Sequence, residues 1–476
     1  MRFLLETQRS WFWALVFAMI ACFWGSSSSG IISSNDGSHL ALARSFVLRG
    51  KPEIDEDVAL TLGIDVAWKE EHFYSDRPPG TAFAAAWAVL LGHQVDGTIL
   101  SASRKAKTML LLPASRPFIF TYAKRSPNAP PLAGLMGTAS LVSLHAIFLG
   151  ITGLYCLRSL LLRWGVGQGG QLVACCGLAL ATLWGPYATT VYSHGSSMLA
   201  VAAILLMIDM LRCSKNDRCY GISIGLGVLV SWAISCDYLL LVALLPMVAL
   251  MVPRQHWIDV GIGTVPGLLL IMIYHWVAFG SPWSIGYDYQ QHFSFARSRT
   301  ETFGGSLFDG MWVLWGAGRG AGLLAQSPVV LLGLGAGMIG AKPYSTFMRI
   351  VVLATVPWGF FLAMHQTPWG GSTLDYRYLC PILPVAGLGL GLLWYKIQDF
   401  SFTKKYLCVG VLCLCFFYSA FRTWKHFLDT HEGELGMSWW VGVVAGFFTF
   451  LVVFLLQNIR LFRMPSKQDV DSVLLN

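Results

Sequence analysis

An acid, an imidazole and a guanidinium fall together in Ser34–Arg44, directly after the first long apolar run: Asp36, His39 and Arg44. A carboxylate at the edge of a hydrocarbon layer is costly unless it is used. Partly desolvated there, Asp36 has the chemistry of a general base towards a hydroxyl or amine. The competing reading is structural, because an acid in the first turn of a helix caps it. On either reading the residues from Asp36 to about Leu48 form a short amphipathic helix, with Ser34 or Asn35 as N-cap and Gly50 as its stop.

Arginines recur where a phosphate would need them. Arg77 lies in Phe73-Tyr74-Ser75-Asp76-Arg77-Pro78-Pro79-Gly80, whose prolines fix the start of a following helix and leave the guanidinium facing headgroups. A planar, permanently charged fork suits a phosphate, and equally suits an arginine that only snorkels at the interface. Arg319 sits among glycines in Trp315–Pro328, and Arg377 follows Tyr376 in Trp369–Tyr378. Glycines beside Arg319 let backbone approach a ligand, although that pattern alone is weak. His194 and Asp237 stand at span ends and read as satisfied interface or turn residues before they read as catalysts.

The elements that position these groups cross a membrane. The chain has 476 residues, 55% hydrophobic and 12% charged, with a mean hydropathy of +0.58. Apolar windows of roughly 17 to 25 residues recur, the length a crossing helix needs. The alternating segments of a membrane β-barrel are missing. The run from Trp11 to about Ile32 is too long and too poorly terminated for a cleaved signal peptide, so it reads as a first span within 1–32. A polar first loop over 33–131 follows, in which Thr81–Gly92 and Met109–Tyr122 fit interfacial helices better than crossings. Further spans are expected near 132–157, 170–190, 194–211, 219–236, 237–252, 258–278, 323–341, 347–364, 378–395, 406–422 and 438–457, so about twelve in all.

The expectation is an all-α polytopic fold with a bundle over 132–457, outer loops over 279–322 and 365–377, and a tail over 458–476. With the N-terminus inside, the inner loops carry Arg158/Arg163, Arg212/Lys215/Arg218, Arg254, Lys342/Arg349, Lys396/Lys404/Lys405 and Arg460/Arg463/Lys467, every one basic. Asp209 and Asp217 fall on that inner side and are given no catalytic role. The net charge of +8 is thereby explained by topology, and no nucleic-acid partner is expected. The cysteines lie in apolar segments or one short basic loop, the usage of small buried hydrophobes rather than of a disulfide framework. No His/Cys cluster has metal-site spacing.

Taken in order, Asn35-Asp36-Gly37-Ser38 with Ala43-Arg44, Tyr74 to Gly80, Phe279-Gly280-Ser281-Pro282 with Gly286-Tyr287, Arg319-Gly320 to Ser327-Pro328, and Tyr376-Arg377-Tyr378-Leu379-Cys380-Pro381 resemble one family. The chain, from residue 1 to about 395, is similar to the GT-C glycosyltransferases, in the branch of protein O-mannosyltransferases and lipid A aminoarabinose transferases. The resemblance implies transfer of a sugar from a polyprenyl-phosphate donor to an extracytoplasmic lipid, glycan or protein acceptor, with inversion and without a cofactor. It implies Asp36 as the catalytic acid and Arg77 as a contact to the lipid phosphate. Arg319, Arg377 and Tyr376 follow as further donor contacts. His39, Arg44, Asp76, His194 and Tyr287 are supporting candidates. Some relatives carry a divalent metal; with no ligand cluster here, none is expected.

In two respects the sequence departs from the family. Gly37 follows Asp36 where mannosyltransferases often have a second acid, and the stretch from 96 to 131 is a longer first-loop insertion than the family suggests. A lipid-linked-sugar flippase or transporter would need inverted repeats and charges at mid-membrane, which the sequence lacks. A non-catalytic subunit of a cell-envelope complex would leave Asp36 and Arg77 replaceable.

Overall fold

Backbone groups in hydrocarbon find no water to bond, so long apolar runs become helices. The computed structural model describes residues 2–27, 33–101, 135–214, 219–339, 344–432 and 440–448. Among them, seven helices are long and apolar enough to cross a membrane, and four further apolar helices are shorter. In chain order the main helices are α1 (Arg2–Ser27), α2 (Ser34–Arg49), α3 (Gly80–Ser101), α4 (Met136–Arg163), α5 (Gln168–Ala181), α6 (Ser193–Cys213) and α7 (Tyr220–Cys236). There follow α8 (Leu240–Met251), α9 (Trp257–Phe279), α10 (Leu307–Trp315), α11 (Pro328–Ile339), α12 (Ser345–Ala363), α13 (Leu383–Ile397) and α14 (Phe402–Glu432). A helix lies within each stretch expected to span between 132 and 422, but those within 170–190, 219–236, 237–252 and 323–341 are the four shorter ones, and the first of them stops at Ala181; the last expected span, near 438–457, is described only over 440–448, where it is helical. Met109–Tyr122, most of the 96–131 insertion, Lys342 and the tail lie outside the described residues.

Two expectations for the first loop change. It is not purely helical: β1 (Val66–Lys69) and β2 (His72–Ser75) pair antiparallel, with Val66 opposite Ser75. Their two-residue turn, Glu70-Glu71, has positive φ at both positions (50° and 68°), the backbone that matches the twist of a tight hairpin. The helix after Pro79 is also longer than a dozen residues, since α3 has 22. Its end meets the start of α4. Asp96 near its end accepts hydrogen bonds from the backbone N–H of Gly137 and Thr138, which open α4. The far end of α4 is tied by Arg163 to Asp209, in the last turns of α6.

The break after α5 is where the bundle meets the polar layer. The carbonyls of Ala179 and Leu180 would be orphaned at a helix end. The indole N–H groups of Trp24 and Trp424 donate to them at 3.0 and 2.9 Å. Tyr376 closes the same break: its hydroxyl accepts from Leu183 N and donates to Ser327 Oγ. Residues 182–192 are thereby held as a rigid lead into α6.

Candidate active site at one end of the bundle

The capping role of Asp36 is real, with the cap one residue earlier than expected. Ser33 is the N-cap of α2, and Asp36, its third residue, reaches back to the Ser33 backbone N–H at 2.8 Å. Ser33 Oγ also donates to Asp36 Oδ1 and is hydrogen-bonded to the hydroxyl of Tyr192. A chain Tyr192–Ser33–Asp36 therefore links the start of α2 to the start of α6. Gly50 ends α2 in the left-handed conformation, φ 67°, as expected. Gly37 explains the missing second acid: a Cβ there would sit 1.9 Å from the Leu60 carbonyl oxygen, so no side chain fits.

The β-hairpin delivers Ser75, Asp76 and Arg77 beside this helix start. Arg77 is largely neutralised by the protein itself. Its Nη2 donates to Asp65, its Nε lies 3.3 Å from Asp76 Oδ1, and its Nη1 donates to Tyr287 Oη at 3.2 Å. With the Asn35 amide turned so that its oxygen faces the guanidinium, Asn35 accepts from Nη2 and Nε at 3.2 and 3.3 Å. Asp65 also accepts from Ser34 Oγ, which joins α2, the hairpin and Arg77. Gln290 Nε2 donates to Asp76 Oδ2 at 3.3 Å. Burial, with Asp65 nearby, pushes the Asp76 carboxyl up to about 7 despite Arg77. Gly286 is needed here, since a Cβ would meet Asp76 Cα at 2.7 Å and displace Tyr287.

The opposite wall comes from the start of α6 and from the loop before α13. Tyr187 donates to Asp375 Oδ2 at 2.6 Å, and the rings of Tyr192 and His194 stack 5.8 Å apart. In the loop, Gly370, Gly371 and Leu374 all have positive φ, a tight path held by Thr373 Oγ1 donating to Gly370 O. Strained backbone of this kind persists where the surroundings over-determine it. The path carries Arg377 into the interior, 9% exposed. Its Nη1 donates to Thr373 Oγ1 at 2.7 Å, and its guanidinium lies over Tyr192 and Tyr378 at 5.8 and 5.5 Å. Arg377 forms no ion pair among the described residues, and its buried Nε has no partner. Arg77 and Arg377 are both within electrostatic reach of His194 and His365.

The fold thus gathers Asp36, His39, Asp76, Arg77, His194, Tyr287 and Arg377. Three other candidates point elsewhere. Arg44 pairs with Asp57 at 2.8 Å and ties α2 to the turn over Asp55–Thr61. Tyr376 is spent on the α5 break. Arg319 is exposed, with its guanidinium 3.6 Å from the Trp369 ring centroid, at the rim beside the Arg377 loop. Asp65, Tyr192, Gln290 and His365 were not anticipated. Only Tyr192 carried a sequence signal, through its place two residues before His194.

This is the GT-C fold, a helical membrane bundle with a polar loop layer over one end. The crystal structure of ArnT from Cupriavidus metallidurans bound to undecaprenyl phosphate matches over 93% of this chain and 76% of that one, with a TM-score of 0.51 at 13% identity. The apo oligosaccharyltransferase of Archaeoglobus fulgidus aligns over 91% of this chain and 56% of its own, at 9% identity, with a TM-score of 0.38. No family pattern and no curated protein matches by sequence.

Proposed function

We propose that the chain is an integral membrane glycosyltransferase that moves a sugar from a polyprenyl-phosphate donor to an extracytoplasmic acceptor, with inversion. The observation that carries this reading is Arg377: a buried cation facing the Tyr192–Ser33–Asp36 chain, with no described carboxylate within ion-pair distance of its guanidinium and Asp375 accepting only from its backbone N–H. A phosphate is the natural counter-charge for such a group, and ArnT, which shares the fold, holds undecaprenyl phosphate. Arg77, already balanced by Asp65 and Asp76, supports the phosphate from the other side and holds the site in shape. Arg319 serves a donor headgroup only at the rim.

As the sugar's bond to phosphate oxygen breaks, negative charge grows on the leaving phosphate, and two fixed guanidiniums offset it without reorganising. Asp36 orients the acceptor hydroxyl or amine and takes its proton, while the sugar is held in line between acceptor and phosphate. No cofactor is invoked, because the donor is already activated. Basic residues support the orientation. From the site, α6 runs to Arg212 and α13 to Lys396, so the cationic end of the bundle is the opposite, cytoplasmic one. Its placement in the plasma membrane, with both termini inside, follows from the same reading.

The purified protein in nanodiscs, given radiolabelled polyprenyl-phosphate sugars and envelope lipid, glycan and peptide acceptors, should transfer label. Asp36→Asn should fold and bind donor but lose transfer by at least 100-fold. Full activity in that variant would remove Asp36 as the base.

A further inference from the structure

His39 is fully buried one turn beyond Asp36 on α2, and neither of its ring nitrogens has a hydrogen-bond partner. Residues three apart share a helix face, so His39 looks the same way as Asp36, towards the Tyr192 wall. From that wall His194 approaches, also buried, with an unpartnered Nδ1 and within electrostatic reach of His39. Buried polar atoms almost always find partners, so three unmatched nitrogens converging on one place need an explanation. They do not belong to the network that holds Arg77, which is satisfied by Asp65, Tyr287 and Asn35.

Resting on the glycosyltransferase reading above, we propose that His39 and His194 form the sugar subsite and bind ring hydroxyls of an uncharged monosaccharide, between the Arg377 phosphate end and the Asp36 acceptor end. The chemistry selects that class. A neutral imidazole offers one donor and one acceptor, which is what an alcohol also offers. A phosphate or carboxylate would call for donors alone. The rings of Tyr187, Tyr192 and Tyr378 around His194 give apolar faces of the kind a sugar's C–H surface packs on. Burial and the nearby Arg77 charge push the His39 imidazole down to about 3, so it stays neutral and keeps one ring N–H that suits a hydroxyl, whereas an ammonium group on the sugar would call for acceptors alone.

The test is a set of dissociation constants for the full-length protein in nanodiscs. The probes are undecaprenyl phosphate alone, the same carrier bearing each of several neutral hexoses, and the carrier bearing an aminosugar. At least one neutral-sugar carrier should bind about tenfold tighter than the bare carrier and than the aminosugar carrier. His39→Leu should erase that gain and leave bare-carrier binding within twofold, with an unfolding midpoint no lower than wild type. His39→Gln, which keeps a donor and an acceptor, should recover part of the gain. Equal loss for bare and sugar-bearing carriers in His39→Leu would make the histidine structural and overturn the proposal, as would a preference for the aminosugar. So would a wild type that binds the bare carrier and gains nothing from any neutral sugar. Failure to bind even the bare carrier would instead overturn the donor reading itself.

Discussion

Arg77 and Arg377 look alike in the sequence and are held differently in the structure. Arg77 balances two buried carboxylates, so removing its charge leaves them unpaired. Arg77→Gln should cost about 3 kcal/mol or more, visible as a lowered unfolding midpoint. Arg377 balances none within ion-pair distance, so Arg377→Gln should leave the midpoint near wild type while raising the KM for donor at least tenfold. If the two variants behave alike, the division of roles is wrong. Asp76 supplies a pH signature. Its carboxyl is raised from about 4 to about 7, so between those values the folded state binds more protons than the unfolded one, and stability falls as pH rises. Asp76→Asn should flatten that fall: scanning from pH 4.5 to 7.5, its unfolding midpoint should change less than that of wild type.

At the scale of the element, α2 is set by both of its neighbours. Its first turn is fixed by the capping box of Ser33 and Asp36, and its side is pressed onto Leu60 at Gly37. Ser33→Ala removes the cap and the link to Tyr192, so about 1 kcal/mol of stability should go together with a larger loss in transfer rate. Gly37→Ala should be worse on both counts, since the methyl group must displace backbone rather than a movable side chain. Thermal unfolding and transfer rate measured in parallel check both, and a Gly37→Ala protein as stable as wild type would contradict the packing. The capping pattern was legible because it is local. The hairpin was not, because Val66–Lys69 and His72–Ser75 are only four residues each and their Glu70-Glu71 turn lacks the glycine or asparagine that usually marks such turns.

Among the described residues, the polar layer sits at one end of the helices, and Arg163, Arg212 and Lys396 sit in the last turns at the other. Added to intact cells, a membrane-impermeant thiol reagent should label Lys51→Cys, an exposed position beside the site layer, above the background of the parent chain, and leave Lys404→Cys unlabelled until the membrane is opened. The reverse pattern would invert the proposed orientation. The α3–α4 connection is fixed by contacts at both depths: Asp96 accepts from Thr138 N at the start of α4 and Trp87 donates to His145 further along it, so the two helices run antiparallel side by side.

Hydropathy and periodicity by themselves determined the class of molecule, the positions of the helices between 132 and 422 and the stop of α2 at Gly50, since each depends on neighbouring residues and on the solvent a segment must face. Charged residue types at the edges of the apolar runs marked Asp36, Arg77, Arg319 and Arg377 alike. Which arginine is left without a carboxylate in ion-pair contact was decided only by tertiary structure. That depends on Asp65, 12 residues before Arg77 and joined to it across a hairpin, and on a strained loop that buries Arg377 against Tyr192, 185 residues away in the chain. Charge balance between groups so far apart is a property of the folded contacts, and no local pattern encodes it.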